Sequence, residues 1–166
     1  MHKFAKVSAA AITVAALGGI AALMGGMTGA SQAAEVITLT QTGCQFLEPE
    51  AKDHGFKTMS ADDCNAINAK TGDERLAAST VMRLKPGEYV FRVKNKNVPY
   101  DLGFWLRDKD YDWRNPLHKL SKTSVSGGGL AEGTSKDYVV KLKPGEYVFS
   151  CPLNPTPNYR IVVEEG

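Results

Sequence analysis

The sequence predicts an all-β protein: a Greek-key β-sandwich with a short helical insertion after its first strand. Three observations carry that expectation. Short segments of alternating apolar and polar residues recur along the chain, separated by turn residues. An octapeptide, Leu84-Lys85-Pro86-Gly87-Glu88-Tyr89-Val90-Phe91, returns unchanged 58 residues later as Leu142-Lys143-Pro144-Gly145-Glu146-Tyr147-Val148-Phe149. Between the first and second strand candidates, about residues 47–78, the composition turns helical.

The 166 residues are 43% hydrophobic and 23% charged, which excludes collagen-like, low-complexity and disordered chains. Residues 1–33 contain Lys3 and Lys6 and no acid, so 18 of the 20 basic residues remain to balance 18 acidic ones. That neutral balance lacks the basic footprint that phosphates require, so nucleic acid is not an expected partner. Met1–Lys6 is short and basic, Val7 to about Gly26 is apolar, and Ser31-Gln32-Ala33 is small and polar. This is the layout of a secretory signal peptide cleaved after Ala33. The competing reading is an uncleaved anchor, because the apolar run approaches the roughly 20 residues that span a bilayer. The expected organisation is a signal peptide over 1–33 and one domain over 34–166. The destination is the periplasm or the exterior, without stable membrane insertion after cleavage. Disulfides persist there.

Taken in order, Val36–Thr40 is the first strand candidate. Ser60 can cap a helix, with Asp63 at the third position to return the bond. Ala61–Lys70 and Asp73–Ala78 then form two helical stretches, separated by Thr71-Gly72. Val81–Leu84 and Tyr138–Leu142 are strands that enter the two Pro-Gly turns. The strands that leave those turns alternate: Tyr89, Phe91 and Val93 share one side, and Tyr147 and Phe149 share another. Both turns are expected to be hairpin-like corners. Leu102–Leu106 and Tyr159–Glu164 complete the strands. In the long middle connection Gly127–Gly129 is expected to be a flexible turn, and His118 a solvated loop residue. Glu48 and Glu50, flanking Pro49, read as a solvated turn, and Met82 as core.

Chemistry rests on few residues. After the signal segment the chain has Cys44, Cys64 and Cys151, with His54 and His118. There is no Cys-x-x-Cys and no His-x-x-x-His. An odd cysteine count in an exported chain means one disulfide plus one thiol, or sulfurs around a metal. Cys151 stands out. It follows a buried strand and opens the proline-stiffened loop Pro152–Asn158, and its thiolate would be a soft ligand suited to copper. No serine–histidine–acid set can be assembled, so no enzyme is expected.

The run Lys143–Cys151, followed by a short valine-rich strand, resembles the last hairpin of cupredoxins. Leu84 to Leu106, with Asn95-Lys96-Asn97 between strands, resembles the segment leading to their first histidine ligand. The resemblance covers about residues 35–46 and 79–166. It departs where blue-copper proteins carry histidines: Pro99-Tyr100-Asp101-Leu102 and Pro152–Asn158 have none. The chain more closely resembles the histidine-poor cupredoxin-like domains of periplasmic iron-uptake proteins, whose two cysteine places Cys44 and Cys151 fit. That resemblance implies a Greek-key sandwich with Cys44 near Cys151, and an insertion carrying His54, Met59 and Cys64 over the same end. It implies Cys151, Cys44, Asp101, His54 and Met59 as candidate ligands for copper, or for iron, with Glu48 and Glu50 as looser acidic candidates. Two pairings follow from that placement, Cys44 with Cys151 or Cys44 with Cys64. The second leaves Cys151 free and is preferred. The function expected is periplasmic metal handling or electron transfer with a redox or metal-transport partner. The alternative is a metal-free structural or protein-interaction sandwich stabilised by a disulfide.

Overall fold

The structure, a computed structural model, describes residues 34–165; the expected signal peptide and its cleavage point lie outside the described residues. The order is β1 (Glu35–Thr42), β2 (Gln45–Phe46), α1 (Leu47–Glu50), α2 (Ala61–Ala78), β3 (Met82–Leu84), β4 (Gly87–Asn95) and β5 (Leu102–Asp108). Then come α3 (Pro116–Ser121), β6 (Ser124–Leu130), β7 (Ser135–Leu142), β8 (Gly145–Ser150) and β9 (Tyr159–Val163). The chain is mostly β, as expected. No helix among the described residues is long and apolar enough to cross a membrane.

Two mixed sheets form, ordered β2-β1-β4-β7 and β3-β9-β8-β5-β6. β1 runs parallel to β4, and β3 parallel to β9; the other pairs are antiparallel. Alternation puts the core between the sheets. In β4, Tyr89, Phe91, Val93 and Asn95 are buried while Glu88, Arg92 and Lys94 are exposed. Rings from opposite sheets meet there: Phe104 of β5 lies 5.9 Å from Phe91 of β4 and 5.0 Å from Tyr138 of β7. Phe46 wedges in edge-on against Phe149 at 5.2 Å and Tyr159 at 5.8 Å.

The repeated octapeptide does not make hairpins. β3 lies in one sheet and β4 in the other, and β7 and β8 are divided in the same way. Each Pro-Gly turn is therefore a corner at which the chain changes sheets. The tyrosine closes it: Tyr89 Oη donates to the Lys85 carbonyl, and Tyr147 Oη to the Lys143 carbonyl, both at 2.8 Å. The folded-back ring packs over the glycine of the first corner: a Cβ at Gly87 would make ordinary contact with the Tyr89 ring at 3.5 Å.

Four other expectations need correction. The expected two helical stretches are one helix. Thr71 Oγ1 donates to the Ile67 carbonyl at 3.0 Å, and Gly72 is buried inside α2, so packing overrides the roughly 1 kcal/mol that an interior glycine costs. Gly127–Gly129 belong to strand β6 and are not a flexible turn. Close packing favours glycine at Gly127 and Gly103: a Cβ at Gly127 would stand 3.0 Å from the Tyr138 ring, and one at Gly103 would stand 3.0 Å from the Gly127 carbonyl. His118 is half-buried in α3, its Nδ1 accepting the Asp112 N–H at 2.9 Å. Glu48 and Glu50 both lie in α1 and not in a turn; Glu48 is exposed, as expected, but the Glu50 side chain is buried.

Strand register separates two ends. Glu35 pairs with Tyr89, Gly87 with Leu142, Gly145 with Val163 and Tyr147 with Asp108. The start of β1, both corners and connection 109–123 therefore share one end. At the other end Gln41 pairs with Asn95 and Ser150 with Trp105, so the loops after β1, β4 and β8 gather there.

Candidate functional site

The second end holds all three cysteines. Cys151 follows β8 and is buried; its Sγ accepts the Gly103 N–H at 3.3 Å and the Asn154 N–H at 3.2 Å. Its own N–H donates to Thr156 Oγ1 at 3.1 Å, which tightens the loop. Burial pushes the thiol up, and the backbone N–H bonds that favour the thiolate only partly offset this.

Cys44 and Cys64 form a disulfide, with Cα atoms 5.0 Å apart. Cys44 sits in the turn between β1 and β2 at a φ of 62°. Gly43 before it is indispensable, because a Cβ there would lie 2.4 Å from the Phe56 carbonyl oxygen. Cys64 lies in the first turn of α2, whose start is held by Asp63 accepting the Ser60 N–H at 3.1 Å and the Met59 N–H at 2.8 Å.

Asn154, fully buried, joins the parts. Its Oδ1 accepts the Cys44 N–H at 3.0 Å and the Tyr100 hydroxyl at 3.2 Å, and lies 3.0 Å from Cys64 Sγ. Its Nδ2 donates to the Thr42 carbonyl at 2.9 Å, and its backbone N–H reaches Cys151. Asn95 does the same for the loop after β4, donating to the carbonyls of Val98 and Leu130 and accepting the Val98 N–H.

A second buried cluster pins the insertion. Glu50, with its side chain 2% exposed, accepts from Arg75 at 2.7 and 3.0 Å, from His54 Nε2 at 2.8 Å and from the Tyr159 hydroxyl. Arg75, 5% exposed, also donates to the Cys44 carbonyl at 2.8 Å and to Asn68 Oδ1 at 2.9 Å. Every lone pair and donor committed there is answered, which a buried ion pair requires.

The expected ligands do not converge. Cys44, Cys64 and Cys151 are brought to one end, as expected, but Cys44 is bonded to Cys64 and its sulfur is no thiolate. His54 is committed to Glu50 and stacks on Phe56 at 5.4 Å. Met59 and Asp101 are exposed. The carboxylate of Glu48 accepts the Thr40 N–H at 2.7 Å. Among the described residues no group of three histidine, cysteine or acidic side chains is arranged to hold a metal ion. Of the three sulfurs at this end, Cys151 Sγ is the one outside the disulfide, and a copper or iron centre needs further ligands beside it. Two buried oxygens nearby in the chain, Gln41 Oε1 and Thr42 Oγ1, lack partners; they are hard donors and do not complete a soft site.

Sequence reasoning did not single out Asn154, Asn95, Arg75 or Gly43. Asn154 had a signal. It lies between Pro152 and Pro155, which have no N–H to donate, so its amide supplies the donors of that loop. Glu50 and His54 are four apart, but nothing local joins them to Arg75 or Tyr159.

The chain matches no known protein family and no curated protein. The fold and site define its class: a β-sandwich closed at one end by a disulfide-bonded helical insertion, with a buried free thiol beneath.

Proposed function

We propose that this is an exported β-sandwich module, Greek-key and cupredoxin-like in plan, that acts by binding, with neither catalysis nor a resident metal. The observation that carries the reading is the position of Asn154. It ties the Cys151 loop to the Cys44–Cys64 insertion, so the end where the resemblance would gather metal ligands is filled with structural bonds. The disulfide supports export to an oxidising compartment.

A second reading has one observation in its favour: Cys151 Sγ accepts two backbone N–H groups, as a ligand thiolate does. On that reading the protein handles copper or iron, or transfers electrons, with a periplasmic redox or transport partner.

One experiment separates the two. Protein isolated after export is dialysed, and its thiols and metals are counted. The proposal expects one thiol per chain, reactive only after unfolding, and no stoichiometric copper or iron. One equivalent of metal, retained by the native chain and lost in Cys151→Ser, overturns it in favour of the second reading.

A further inference from the structure

The outer face of the β2-β1-β4-β7 sheet is open: the outward residues of β1, β4 and β7 are all exposed or half-buried. Register arranges them in rows across the three strands. Val36, Val90 and Val139 lie opposite one another and make an apolar row, with Val36 49% and Val139 58% exposed. On the corner side of that row Glu88 stands opposite Lys141. On its other side Thr38, Arg92 and Asp137 align, and Arg92 holds Asp137 by two bonds of 2.8 Å. Beyond lies a row of Thr40, Lys94 and Ser135, with the Glu48 carboxylate bonded to the Thr40 N–H.

The charges beside the valines say what fits this face. From β4 to β7, the corner side reads acid then base, and the other side reads base then acid. A two-fold axis laid along the valine row stacks the sheet on a copy of itself with antiparallel strands. It sets each valine on its own counterpart and exchanges the two flanking rows. Glu88 then faces Arg92 of the second copy, and Lys141 faces its Asp137, so every facing pair is of opposite sign. A two-fold axis along β4 would instead set Glu88 on Glu88 and Arg92 on Arg92. The pattern therefore suits a second copy and selects one orientation of it. Sheet twist splays the ends of such a stack, which leaves Lys94, Glu35, Lys85 and Lys143 at a wet rim of mixed charge. The patch is three strands by three rows, roughly 14 Å by 20 Å. That is well under the roughly 800 Å² a side of a standard interface, so the dimer is weak and reversible.

We propose that this face binds a second copy of the chain, as a two-fold dimer stacked on Val36, Val90 and Val139, with Glu88 opposite Arg92 and Lys141 opposite Asp137. The cysteines lie at the other end of the sandwich, so the inference stands whatever Cys151 does.

The test is sedimentation equilibrium of the exported chain from micromolar to millimolar concentration, which should show reversible exchange between monomer and dimer. Val139→Lys, at an exposed strand position, should weaken the dimer at least about tenfold, through lost apolar burial and a charge placed in the interface, with thermal unfolding unchanged. Glu88→Arg and Arg92→Glu, each alone, set like charges against each other at two places in the dimer and should each weaken it at least about tenfold. Mixing those two variants makes both facing pairs opposite again and should restore association close to that of the parent chain. A parent chain that stays monomeric at millimolar concentration overturns the proposal and leaves the face to a different partner. A dimer indifferent to Val139→Lys overturns it by placing the contact elsewhere. A mixture that associates no better than its two components overturns the orientation.

Discussion

The side-chain oxygen of Asn154 accepts the backbone N–H of Cys44 at 3.0 Å, across 110 residues of chain. Through that bond the loop after the penultimate strand and the turn after the first strand hold each other in place. Asn154→Ala takes the acceptor from the buried Cys44 N–H and a donor from the buried Thr42 carbonyl. At roughly 1–3 kcal/mol for each group so deprived, the variant should lose about 2–6 kcal/mol in urea unfolding. A loss under 1 kcal/mol would show that the amide is not the tie described.

The Cys44–Cys64 disulfide closes a separation of 20 residues. In the chain-entropy model such a loop stabilises by about 3 kcal/mol. Cys64→Ser should be destabilised by that order, and peptide mapping of the native protein should find Cys44 linked to Cys64 with Cys151 free. A map placing Cys151 in the bond would refute the pairing.

Glu50 and Arg75 form a buried pair in which each also serves other groups. Glu50→Gln strips the counter-charge from a buried guanidinium and should cost about 3–5 kcal/mol. Adding Arg75→Met should recover part of that loss. The cycle is read by equilibrium unfolding; strictly additive losses would contradict direct pairing.

Stability should fall at both extremes of pH, for opposite reasons. Hydrogen bonds from the Met59 and Ser60 N–H groups hold the Asp63 carboxyl below its usual range, and Arg92 does the same for Asp137. A depressed carboxyl stabilises above its unfolded value of about 4 and loses that contribution as pH falls through the folded value. These groups are exposed, so the acid effect should be small and weakened by salt. Burial raises Tyr159, Tyr100, Tyr138 and Cys151. A raised group stabilises fully below its unfolded value, about 8.5 for cysteine and 10 for tyrosine, and that contribution is lost as pH climbs toward the folded value. Tyrosinate absorbance should therefore rise together with loss of structure above about pH 10. Free titration of every tyrosine near its ordinary value in a folded chain would contradict the burial.

The two corner tyrosines differ by one bond. Tyr147 Oη donates to the Lys143 carbonyl and also accepts the Lys143 N–H at 3.1 Å, whereas the bond described for Tyr89 is to the Lys85 carbonyl alone. Tyr147→Phe should cost more than Tyr89→Phe, with each lost bond worth about 0.5–1.5 kcal/mol. Equal losses would show that the second bond contributes nothing.

Local pattern decided much of this protein. Period-two alternation located the strands at Tyr89, Tyr138 and Tyr159, because one face of each is buried and the other is wetter, whereas β8 is buried on both faces from Tyr147 to Ser150. The Ser60 and Asp63 spacing marked the start of α2, because capping involves only neighbours in the chain. Tertiary structure decided the rest. Whether a Pro-Gly turn folds back into a hairpin or crosses between sheets depends on where its strands find partners, and both octapeptide copies cross. Three glycines read as a loop until Tyr138 presses against Gly127 and leaves no room for a side chain at that strand position. Glu50 reads as a surface acid until Arg75, His54 and Tyr159 arrive from 25, 4 and 109 residues away. Asn154 had a local hint in its flanking prolines, but its side-chain partners lie up to 112 residues distant. Burial and hydrogen bonding between distant segments carry no local period, so the closure of the cysteine end is a property of the folded chain alone.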